Sequence, residues 1–171
     1  LAACAASWVR AAKTVDNNWA HTGFDWRSMS AYDNGLWTEG DAAGGVAWLG
    51  IIAHESAARQ VAAAAGDTRA SVNSDSVSDA LQMAQGALEF LESLPSSRSP
   101  LYECVLPMGA LAAARMNAQH GSNFNVTRLL EWSLSDGSNT DRQGWGMLGG
   151  DAVRQKSNTH FRCEDCGTSD P

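Results

Sequence analysis

Val77, Leu81, Ala84, Leu88 and Leu91 follow one another at steps of four and three residues. That spacing lays five apolar side chains along one stripe of an α-helix, and such a stripe must be buried against another element. Ser76 and Asp79 have the spacing of a capping box at its start, and Pro95 closes the segment. The same pattern recurs on both sides. A first helix is predicted over residues 1–15, with Trp8, Ala12 and Val15 on one side and the turn-forming Asp16-Asn17-Asn18 after it. A second is predicted from near Thr38, where Thr38 and Asp41 form another capping box, to about Ala65. Its face is Val46, Leu49, Ile52, Ala53, Ser56 and Ala57. A fourth runs from Leu101 to about His120, where Pro107 either kinks it or marks its true first turn. A fifth covers Val126 to Leu134.

No segment alternates apolar and polar residues with a period of two, so no strand is predicted and the fold class is all-α. Alanine-rich helices separated by turns fit a set of antiparallel helical hairpins. These hairpins form a domain over residues 1–151. Residues 152–171 are read as an irregular, cysteine-containing tail.

Composition narrows the function classes. The 171 residues are 44% hydrophobic and 18% charged, a globular balance with enough chain for a real core. A net charge of −7 with scattered Lys and Arg gives no footprint for nucleic acid. The longest apolar run, AAGGVAWLGIIA at 42–53, is too short to span a bilayer. Four cysteines, Cys4, Cys104, Cys163 and Cys166, suit disulfides in an oxidising compartment, with three connectivities open. Asn125-Val126-Thr127 is an N-glycosylation acceptor. With only two lysines and seven tryptophans, these features point to a secreted or extracellular protein.

Candidate chemistry gathers in YDNGLWTEGDAAGG, residues 32–45. Asp41 has a sufficient role as a helix-capping carboxylate, and Glu39 is expected in the first helical turn. Asp33 lies outside the helix. It is either part of an Asx turn or a general acid or base whose pKa burial among aromatic walls raises. Trp19, Trp26, Tyr32, Trp37 and Trp145 lie in loops or at helix starts and are the candidates for walls of a sugar-binding cleft. Trp8, Trp48 and Trp132 lie within predicted helices and read as core.

Other motifs are absent or incomplete. His54-Glu55 opens like a zinc-protease helix, but no second histidine follows within the motif. His160, Cys163 and Cys166 have a spacing that suits zinc, yet no second paired set accompanies them, and a disulfide explains the cysteines as well. No metal site and no cofactor is assigned.

A Trp-rich segment, then DNGLWTEGD opening a small-residue helix, then hairpins and RQGWGMLGGD, resembles six-hairpin glycosidases over residues 19–60 and 100–151. The resemblance implies part of an (α/α)6 toroid, with Asp33 as catalytic residue and Trp37 and Trp145 in the cleft. It also implies a carbohydrate substrate of acidic or plant and algal type, cleaved by acid/base catalysis. Five helices fall short of such a toroid, so a companion segment or subunit is expected to complete it. The competing expectation is a non-catalytic extracellular protein that uses the same helices for glycan binding or assembly.

Overall fold

The computed structural model describes residues 1–64, 74–101 and 105–134. Five helices dominate it: α1 (Ala2–Thr14), α2 (Ala42–Ala64), α3 (Ser74–Ser93), α4 (Leu106–His120) and α5 (Val126–Leu134). The mainly helical class is thus as expected. An addition is a small antiparallel hairpin, β1 (Gly23–Asp25) with β2 (Ser30–Tyr32), in which Gly23 faces Tyr32 and Asp25 faces Ser30. Strands of three residues are too short to display a period of two, which is why the sequence pattern missed them. Asp25 closes the turn, accepting hydrogen bonds from Arg27 N at 2.8 Å and Ser28 Oγ at 2.9 Å.

Helix α1 buries Ala5, Val9 and Ala12 on one face. It ends where Asp16 and Asn17 adopt left-handed backbone angles, φ 49° and 54°, and Asn17 N donates to Ala12 O at 2.9 Å. Helix α2 begins three residues later than the capping-box spacing implied. Asp41 therefore stands directly before the first helical residue instead of inside the first turn, and its side chain is fully buried. Glu39 likewise lies ahead of the helix. In α4, Pro107 occupies the first turn, where a missing N–H costs nothing. Gly121, at φ 68°, terminates that helix.

The helices form two rows. Helices α2 and α3 run antiparallel: a Cβ on Gly50 would lie 2.6 Å from Ala80 O, and His54 Nδ1 lies 2.9 Å from Val77 O. Helices α2 and α4 run in the same direction. Gly44 abuts Val105, Leu106 and Gly109, while further along both helices Glu55 pairs with Arg115. Helix α1 runs against α2, with Trp8 near Gly45 and Leu49 and Ala5 near Ala53. It therefore runs with α3, to which Lys13 is tied by a 3.0 Å ion pair with Asp79. Between the rows lies one core whose largest fully buried members include Ile51, Leu88, Leu91, Leu106, Met116 and Leu129. Among the described residues no helix is long and apolar enough to cross a membrane.

Helix α5 closes over one end of α3. Arg128 donates to Leu91 O at 3.1 Å and pairs with Glu92 at 3.3 Å. Trp132, read as core, is buried and donates from Nε1 to Ser96 O at 2.9 Å. Asn125 is exposed and caps the helix, its Oδ1 accepting from Arg128 N at 2.9 Å. Cys4 is exposed on α1 and unpaired among the described residues. Cys104, Cys163, Cys166, Trp145 and the tail 152–171 lie outside the described residues.

Two stability tests follow from these contacts. A methyl at Gly50 improves helix propensity by about 1 kcal/mol, but it collides with the α3 backbone and overpacking of this kind costs about 1–3 kcal/mol. Gly50→Ala should therefore lower the urea midpoint instead of raising it. Asn125→Ala should cost about 1 kcal/mol in thermal unfolding, whereas Asn125→Ser keeps a capping oxygen and should be nearly neutral.

Candidate functional site

The loop before α2 is organised around Thr22, a buried residue just ahead of β1. Thr22 N donates to Tyr32 O and to Asp33 Oδ1, both at 3.2 Å. Its hydroxyl donates to Trp37 O at 2.8 Å and accepts from Asn34 N at 3.1 Å. Asn34 Oδ1 in turn accepts from Leu36 N at 2.9 Å and Trp37 N at 3.3 Å, around Gly35 at φ 75°. The Asx turn suspected in Asp-Asn-Gly is therefore made by Asn34 and not by Asp33.

That leaves the Asp33 carboxylate available. It meets His21 Nδ1 at 3.1 and 3.3 Å, with 54% of the aspartate side chain and 27% of the histidine exposed. The bond from His21 holds the Asp33 carboxyl below the ordinary aspartate range, and the Thr22 N–H adds to it. Burial opposes the shift and loses. The expectation that an apolar surround would raise this pKa is thus corrected: the group is exposed and stabilised as an anion. The Asp33 carboxylate also orients the imidazole, which donates to it from Nδ1.

His21 faces a hollow of about 150 Å³ whose walls include Trp8, Trp19, Phe24, Trp26 and Glu39. The rings pack edge to face, with Trp8 to Trp26 centroids 4.8 Å apart and Phe24 to Trp26 4.9 Å apart. Trp19 is buried, and its Nε1 has no hydrogen-bond partner among the described residues. A second hollow of about 310 Å³ adjoins the first and shares Trp8, Glu39 and Ala42 with it. Its other walls include Asp41, Val46, Leu49 and Val105. Glu39 is half-buried between the two, anchored by its own N–H to His21 O at 2.8 Å.

Of the aromatic residues singled out in the sequence, Trp19 and Trp26 meet at this place. Tyr32 is exposed, with its ring over Gly23 on the hairpin. Trp37 is 40% exposed and lines neither hollow. Three residues of the site were not anticipated. Trp8 reads as core because its helix is amphipathic, yet it lines both hollows. His21 pairs with a carboxylate twelve residues away, a separation that carries no motif. Glu39 lies where the capping-box spacing predicts the first helical turn, but the helix begins only after it. Among the described residues, no three His, Cys, Asp or Glu side chains converge as metal ligands.

The pairing has a pH signature. Because the folded-state pKa of Asp33 is lowered, its contribution to stability is present above the unfolded aspartate value of about 3.9 and is lost as pH falls through the lowered folded value. An NMR titration should give Asp33 a midpoint below the ordinary one. His21→Ala should move that midpoint upward, and an unmoved midpoint would show that the pair does not form.

No protein-family model matches the chain, and no curated protein or solved structure matches it. The functional reading therefore rests on the geometry of its own residues.

Proposed function

We propose that this protein is a secreted, carbohydrate-active glycoside hydrolase whose sugar site is the pair of adjoining hollows at the start of α2. The observation that carries the reading is Glu39, which lines both hollows together with Trp8 and whose N–H is bonded to the carbonyl of His21, the partner of Asp33. Indole faces offer apolar surface to the C–H faces of a sugar ring, while carboxylates and imidazole address its hydroxyls. Hydrolysis needs one group to donate a proton to the leaving oxygen and another to activate water. Glu39, which lines both hollows, is placed to be the donor. Asp33, held as an anion, lines neither hollow itself and would act on water through His21, which lines the smaller one.

The scaffold supports the same reading. Helices α1 and α3 run side by side in one direction, and α2 and α4 do so in the other. Successive hairpins of an (α/α) toroid repeat this arrangement, row upon row. The exposed Met108 and Leu111 on α4 offer apolar surface on which a companion segment would continue it.

Reducing-end release from a panel of acidic and neutral oligosaccharides tests the proposal. Glu39→Gln and Asp33→Asn should each lower kcat by about 100-fold or more with the fold intact. Trp26→Ala should chiefly raise KM. Calorimetric binding of the same oligosaccharides with no turnover by the unaltered protein would reassign the site to glycan binding. Neither binding nor turnover would overturn the carbohydrate reading altogether.

A further inference from the structure

At the far end of the molecule, α2 and α4 bring His54 and His120 together, with ring centroids 5.3 Å apart and planes at 71°. The sequence motif opened by His54-Glu55 lacks its second histidine, since Ala58 stands one helical turn on. The fold supplies a histidine at that end from another helix.

His54 Nδ1 lies 2.9 Å from Val77 O, a contact that requires the proton on Nδ1 and frees the Nε2 lone pair. Metal-bound histidines are held in just this way, with the second nitrogen donating to a carbonyl. Two imidazoles bound at roughly 2.0–2.1 Å around a tetrahedral ion place their ring centres about 5 Å apart. That is the separation observed. His54 is half-buried, which limits its freedom, while His120 is exposed and leaves the ion a path of entry. His120 is also the last residue of α4, held there by the Gly121 turn, so the terminal carbonyls of that helix favour a cation beside it. The neighbouring Glu55 is already engaged by Arg115 and Arg59 and is not required as a ligand.

We infer that His54 and His120 form a two-imidazole site for a borderline divalent transition-metal ion, with Zn²⁺ as the reference case and water completing its coordination. The ion clips α2 to α4. This site is independent of the carbohydrate reading and shares no residue with it.

Calorimetric titration of the full chain with ZnCl2 tests the inference. One ion should bind at this site, and His54→Gln and His120→Gln should each weaken binding by at least about tenfold. A Cys163→Ser/Cys166→Ser variant should leave that event unchanged, which separates it from any site in the tail. With Cu²⁺, electron paramagnetic resonance should show coupling to two imidazole nitrogens that falls to one in His120→Gln. Because His120 is exposed, this variant is expected to fold, and its helix content by circular dichroism verifies that. Absence of binding, affinity unchanged in His120→Gln, or loss of binding in the cysteine variant would each overturn the inference.

Discussion

Backbone contact between helices is the constraint on which the rest of this structure depends. At Gly44 a Cβ would lie 2.8 Å from Val105 O, and at Gly50 a Cβ would lie 2.6 Å from Ala80 O. These two glycines, six residues apart on one helix, let α2 approach α4 and α3 more closely than any side chain would permit. Gly109 answers Gly44 from the opposite helix, where a Cβ would lie 3.0 Å from its Cα. The start of α2 is thereby held against the start of α4, and the residues just ahead of it, Glu39 and Asp41, line the hollows there together with Trp8 of α1.

Helices whose ends are marked by local chemistry were readable from the sequence. The fifth helix falls on its predicted limits, since Asn125 caps it and its apolar residues share one face. The α3 stripe is equally plain because its period is uninterrupted over four turns. The start of α2 was misplaced for a physical reason. Thr38 and Asp41 match the capping-box spacing, but Glu39, Gly40 and Asp41 form tight turns ahead of the helix, with Ala42 N bonded to Glu39 O and Gly44 N to Asp41 O, while Glu39 N reaches back to His21 O.

The site was legible only in part for a similar reason. Loop tryptophans identified the right region, and Trp19 and Trp26 do converge there. Their partners are a helix residue from the N-terminal segment and a histidine whose only mark is its distant carboxylate. Asp33 was found by elimination, as the acidic residue with no local duty. Its electrostatic environment was inverted, because solvent exposure and a hydrogen-bonded imidazole are properties of the folded hairpin, not of the residues flanking it. Trp145 and three of the four cysteines fall outside the described residues.

The directions of the helices decide how their dipoles combine. Helices α2 and α4 start at the end that holds the two hollows, while α1 and α3, which run the other way, finish there. Macrodipoles of such antiparallel neighbours largely cancel. The charge a ligand would meet at that end is therefore set by side chains, with Glu39 and the buried Asp41 in the walls and the Asp33 carboxylate beside His21.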